Sequence, residues 1–202
     1  MKPNKTVLIA TSNLGKQKEL LSALLPLDGI DFVTLGDLGI NIDVAETGQT
    51  YAENALIKAR EYFRHSGMPT IAEDSGMEVS ALKGELGVQT RYWGAGAKAT
   101  DEEWLKHFMD RMQQEQDRDA RFVCHGIYID KGGYHSFEGE CLGSITKDIE
   151  GPIYPGIPLS AVFKPLGAEL VYSAMTEEEK NKLSHRGKAM KGMREWLLNS
   201  RT

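Results

Sequence analysis

The chain has 202 residues, 41% hydrophobic and 26% charged, a composition that supports a sizeable core in one domain or two small lobes. Its formal net charge of -5 argues against broad contact with nucleic acid or an anionic membrane, since either needs a basic face. One local basic pocket for a phosphate ligand remains compatible with that balance. No apolar stretch approaches a membrane span, and the run at 7–10 is too brief for a signal-peptide core, so the cytoplasm is the default compartment.

Residues 7–10 are an all-apolar run with β-branched members, the pattern of a strand buried on both faces. Ser12 or Asn13 then caps a helix over 15–25 that carries Leu20, Leu21, Leu24 and Leu25 on one face. A second short strand is expected at 32–35. Thr50 and Glu53 have capping-box spacing, followed by Ala55, Leu56, Ala59, Tyr62 and Phe63 at helical intervals, with Gly67 and Pro69 as the stop. Residues 70–72 read as another buried strand.

Thr100 and Glu103 open a further helix bearing Trp104, Leu105, Phe108, Met109 and Met112, and the charged stretch 113–121 reads as its solvated end plus a loop. Residues 121–130 and 134–140, joined by Lys131, Gly132 and Gly133, form a hairpin. Cys124 falls in its apolar run and is expected as a buried free thiol; neither it nor Cys141 has metal-ligand spacing. A Gly/Pro-rich segment, 151–165, leads to a helical region opened by the Thr176/Glu179 box. That region ends near Asn199 with Met190, Met193, Trp196 and Leu197 inward. Strands alternating with helices, then a hairpin, imply an α/β fold with a mixed sheet.

Four segments carry chemistry. Thr11, Ser12, Asn13 and Lys16 lie at a strand-to-helix turn, where backbone N–H groups and the helix N-terminus favour phosphate oxygens; capping alone also accounts for Ser12 and Asn13. Glu73 and Asp74, followed by Ser75 and Gly76, stand at the expected end of a buried strand, where both carboxylates can turn toward one Mg²⁺ or can cap a turn instead. Glu46 precedes a helix with Asn54 and Lys58 four apart on one face. Lys180, with His185, Arg186 and a helix-interrupting Gly187, offers donors for carbonyl or phosphate oxygens. Together they describe a phosphate-and-cation site without naming a reaction.

T-S-N-x-x-K at 11–16, E-T-G-x-T-x-x-E-N-A-x-x-K-A at 46–59, E-D-S-G at 73–76 and S-H-R-G-K-A at 184–189 resemble, in order and spacing, the inosine triphosphate pyrophosphatase family. The resemblance implies an elongated mixed sheet flanked by helices, residues 1–202 forming a single two-lobed domain with the nucleotide in the central cleft, usually as a homodimer. It implies Mg²⁺-dependent cleavage of non-standard purine nucleoside triphosphates (ITP, dITP, XTP) between the α and β phosphates, cleaning the nucleotide pool. Asp74 and Lys16 would be catalytic, Asp74 as the general base, and Glu46, Glu73 and Asp74 would hold the cation. Thr11, Ser12, Asn13, Lys16, Lys58, Ser75 and Lys180 would contact the triphosphate, while His185 and Arg186 would read the 6-oxo edge of the purine.

Two stretches depart from the family. Its G-F-G-[YW]-D-P-I-F segment stands here as Gly156-Ile-Pro-Leu-Ser-Ala-Val-Phe163, without the two internal aromatics or the Asp. Residues 87–94 are one residue shorter than G-x-x-S-A-R-Y-x-G. The alternatives are the same chemistry on a different nucleotide, with Tyr154 or Trp93 as substitute ring, or a nucleotide-binding protein without turnover.

Overall fold

The computed structural model describes residues 4–96 and 98–200. Among these residues six strands form one mixed sheet: β1 (Lys5–Ile9), β2 (Ile30–Thr34), β3 (Thr70–Val79), β4 (Asp119–Asp130), β5 (Gly133–Ile145) and β6 (Phe163–Pro165), in the order β2-β1-β3-β4-β5-β6. β1 is parallel to both neighbours, and the pairs from β3 to β6 are antiparallel. Five α-helices accompany them among the described residues: α1 (Leu14–Leu24), α2 (Tyr51–Ser66), α3 (Asp101–Met112), α4 (Glu177–Leu183) and α5 (His185–Asn199).

All three capping boxes form, with Thr50, Thr100 and Thr176 each accepting from the third helical N–H while the Glu there accepts from the cap. Gly67 ends α2 at φ 67°, a left-handed cap that glycine adopts without a Cβ clash. Asn13, not Ser12, caps α1.

β1 is apolar throughout its core because both sheet faces are covered. Val7 and Ile9 pack with Leu20 and Leu24 of α1 and Met190, Met193 and Leu197 of α5. Leu8 points the other way, into Ala55, Ala59 and Tyr62 of α2. A third cluster joins Trp104, Leu105, Phe108 and Met112 of α3 to Met77, Phe122 and Phe163. Cys124 and Cys141 are free and buried. No helix among the described residues is long and apolar enough to cross a membrane.

Several expectations need correction. β3 does not end at Ala72 but runs to Val79, because β4 pairs with it along its whole length. Leu25 is the C-cap of α1 and 49% exposed, outside the buried face. The C-terminal helical region breaks at Ser184, which ends α4 and caps α5, whereas Gly187 lies inside the first turn of α5. There a Cβ would fall 2.0 Å from the Asn181 carbonyl, so its lack of a side chain serves helix packing. Finally, the charged stretch 113–121 already contains the start of β4, and the Gly/Pro-rich segment ends in the edge strand β6.

Candidate functional site

The sheet itself opens the cleft. β1 stays beside β3 as far as the bond from Ala10 N to Ile71 O (2.8 Å), then leaves for α1, while β3 continues with β4 alone. A strand leaving at this point creates the crevice in which open α/β sheets bind ligands. The crevice has a volume of about 300 Å³ and is lined by Thr11, Ser12, Asn13, Lys16, Glu46, Lys58, Glu73, Asp74, Ser75, His185 and Arg186, eleven residues drawn from all four motifs. Lys180 does not line it; it walls an adjoining pocket.

At the turn, Asn13 Oδ1 accepts from Lys16 N (3.0 Å), Thr11 Oγ1 accepts from Asn13 N (3.2 Å), and Asn13 Nδ2 donates to the Gly156 carbonyl (2.9 Å). On the opposite wall Asn54 Oδ1 accepts from Gly48 N (2.8 Å) and Glu53 Oε2 from Gln49 N (2.7 Å), bonds that fix the loop presenting Glu46.

Glu73 and Asp74 are adjacent in an extended strand and therefore serve different faces. Glu73 meets Lys16 at 2.8 Å and Arg186 Nε at 3.5 Å. Asp74 meets Lys58 at 2.9 Å, and the same ammonium reaches Glu46 at 3.1 Å. Both acids are nearly fully buried. Burial alone would raise each carboxyl. At Glu73 the surrounding Lys16, Arg186 and Lys58 overcome it and hold the group well below the usual carboxylate range. At Asp74 burial wins, helped by Glu73 and Glu46 against Lys58 and Lys16, and its pKa is raised. Two neighbouring acids thus differ in affinity for a proton, the division of labour that acid–base chemistry uses.

Among the described residues, no three or more His, Cys, Asp or Glu side chains gather as a metal cluster. A smaller donor set does suit Mg²⁺, which takes one or two carboxylates and completes its shell with water and phosphate oxygens. Asp74 Oδ2 is buried with no hydrogen-bond partner, and Glu46 stands beside it across Lys58.

His185 and Arg186 fall in the first turn of α5. His185 stacks on Phe122 at 4.6 Å, has no partner on either ring nitrogen, and is kept neutral by burial and by Arg186. Arg186 donates to Ser75 Oγ (2.6 Å) and to Glu19 Oε2 (2.7 Å). Glu19 also pairs with Lys180, so it ties α1 to both α4 and α5. Sequence reasoning passed over Glu19; its signal is its place one turn after Lys16 on the same helix.

The Ham1 family model matches residues 7–196. A dITP/XTP pyrophosphatase of Leptospira interrogans is 39% identical over 191 residues, covering 94% of this chain and 95% of the relative. Among solved structures, a HAM1 protein from Coxiella burnetii superposes with a TM-score of 0.80 at 29% identity, covering 96% of this chain and 99% of that one. A nucleoside-triphosphatase / dITP/XTP pyrophosphatase from Mycobacterium abscessus gives 0.66 at 31% identity over 93% and 97% of the two chains.

Proposed function

The chain belongs to the Ham1 family, and on that premise we infer that it hydrolyses non-standard purine nucleoside triphosphates of the ITP, dITP and XTP type to the monophosphate and pyrophosphate. The observation that carries the reading is the paired arrangement in the cleft, Lys16 with Glu73 on one face of β3 and Lys58 with Asp74 and Glu46 on the other. Phosphoryl chemistry rests on positioning and charge neutralisation, and this crevice supplies cations and carboxylates beside a helix N-terminus.

Asp74, the acid with the raised pKa, acts as general base and takes the proton of the attacking water as the bond between the α and β phosphates breaks. Thr11, Ser12, Asn13 and Ser75 orient phosphate oxygens, and Lys16 and Lys58, which line the same crevice, offset their charge; Lys180 walls the adjoining pocket instead. Glu46 and Asp74 would hold Mg²⁺, with Glu73 behind Lys16 adding negative field; when bound, the ion neutralises charge on the phosphates. His185 offers neutral ring nitrogens to the purine, and Arg186 a guanidinium to its 6-oxo group. A single two-lobed domain acting as a homodimer in the cytoplasm completes the reading, and two free thiols suit that reducing compartment.

The test is pyrophosphate release with Mg²⁺ across dITP, XTP, ITP and the standard triphosphates. Selective release from the 6-oxo purines is expected. Equal rates on ATP would refute the specificity, and release from none of them would refute the activity.

A further inference from the structure

Asp101 opens α3 directly after the Thr100 cap, in a first turn that also holds Glu102 and Glu103. Acids there are ordinarily accounted for by the helix dipole. The Asp101 carboxylate does something more: its Oδ2 accepts from Gly156 N at 2.6 Å, a charge-assisted bond to backbone 55 positions along the chain. On its other side Gly156 accepts from Asn13 Nδ2 (2.9 Å), and Asn13 Oδ1 accepts in turn from Lys16 N (3.0 Å). One run of hydrogen bonds therefore joins the first turn of α3, through a glycine and an amide side chain, to the first turn of α1. The two helices belong to different cores, α3 packing by Trp104, Leu105, Phe108 and Met112 and α1 by Leu20 and Leu24.

The junction has no slack. A Cβ on Gly156 would fall 2.4 Å from Asn13 Oδ1, and one on Gly15 would fall 2.5 Å from the Pro155 carbonyl. A shift of 155–156 therefore either moves the turn at 11–16 or breaks its cap. Asn13 and Gly156 line the cleft, whereas Asp101 lines neither the cleft nor the adjoining pocket. Asp101 can reach a bound ligand only through those two residues.

We propose that Asp101 is a positioning residue for phosphate binding: its carboxylate holds the Gly156 peptide, and through it Asn13, so that the turn at 11–16 keeps the shape that receives the phosphates. This rests on the function inferred above and adds a residue outside the four motifs. Asp101 is half-buried at a helix start, so its replacement leaves the apolar cores intact.

The experiment compares Asp101→Ala, Asp101→Asn and Glu102→Ala in the full chain with Mg²⁺. It reads pyrophosphate release from dITP, competitive inhibition by inorganic tripolyphosphate, and hydrogen exchange of the Lys16 amide in the ligand-free protein. Asp101→Ala is expected to raise KM for dITP and the inhibition constant of tripolyphosphate together, about fivefold, the share of one hydrogen bond, with kcat within about twofold. The Lys16 amide is expected to exchange about fivefold faster in the same variant. Asp101→Asn keeps an acceptor oxygen for Gly156 and Glu102→Ala keeps Asp101 itself, so both are expected to match the parent. An unchanged KM in Asp101→Ala overturns the proposal. So does a KM rise without weaker tripolyphosphate inhibition, which marks a contact to the nucleoside. An equal loss in Asp101→Asn or Glu102→Ala overturns it too, since that marks the charge of the first turn and not a held peptide. If the parent protein releases no pyrophosphate, the functional reading fails separately. Lys16 exchange then decides the role of Asp101, and unchanged protection in Asp101→Ala refutes it.

Discussion

Replacing Glu19 by Ala tests how far the cleft depends on one carboxylate. Glu19 is the shared partner of Arg186 and Lys180, whose side chains are 7% and 12% exposed. Removing one partner of a buried pair costs about 3–5 kcal/mol, because the remaining charge stays desolvated. Arg186 keeps Ser75 and a longer contact to Glu73, which places the expected loss at the lower end, about 3 kcal/mol. For a chain of this size that corresponds to a Tm lowered by roughly 6–12 °C. Burial opposes ionisation of Glu19, but Arg186 and Lys180 outweigh it and its carboxyl pKa is lowered. A depressed folded-state value stabilises the protein above the unfolded carboxyl pKa, about 4.3, and that contribution fades as pH falls through the folded value. Urea unfolding of parent and variant is therefore expected to show the full gap at pH 7 and a smaller one at about pH 3. A gap below about 0.5 kcal/mol at pH 7, typical of surface substitutions, would refute the reasoning, as would a gap that does not shrink in acid.

Asp74→Asn is expected to cut kcat by roughly 10²-fold or more, the usual loss on removing a general base, with the unfolding transition retained; near-full activity would exclude Asp74 as the base. In the metal-free protein burial raises the Asp74 pKa, so an NMR titration without Mg²⁺ should place its carboxyl midpoint above the ordinary Asp value, and Lys58→Met, which removes an attraction that lowers that pKa, should move the midpoint further up. Gly156→Ala places a Cβ 2.4 Å from Asn13 Oδ1 at φ 77°, and left-handed strain with a weakened cap should cost about 2–3 kcal/mol in urea unfolding. Chelation of divalent ions should abolish pyrophosphate release, and added Mg²⁺ should restore it; activity surviving chelation would remove Glu46 and Asp74 as ion holders.

The helices were legible because their signals are local. Three Thr/Glu boxes and Gly67 sit within a few residues of the ends they specify. The strand carrying Glu73 and Asp74 was read short because two adjacent acids look like the end of a buried run. Their partners, Lys16 and Arg186 on one face and Lys58 on the other, come from distant parts of the chain and make burial tolerable. Glu19 escaped for the same reason, since Arg186 lies 167 positions away. β6 has three residues, too few to show a period. The side chains singled out in the four motifs come together in the cleft, apart from Lys180, which walls the adjoining pocket; Glu19 lines the cleft without having carried a motif signal. The 156–163 segment was recognised as unusual, but only packing shows Pro158, Leu159 and Ser160 buried as a fixed wall.

The division of Glu73 and Asp74 between two faces makes β3 intolerant of changes in length. Deleting one residue between Thr70 and Glu73 while the hairpin partner kept its place would slide the acids past Gly126 and His125 and exchange their sides. The longer carboxylate would then face Lys58, and the shorter one would fall short of Lys16 and Arg186, leaving two cations without their counter-charge. The same slip would turn Met77 and Val79 out of the α3 cluster. In this strand the reading frame of the sheet and the charge pattern of the site are one constraint.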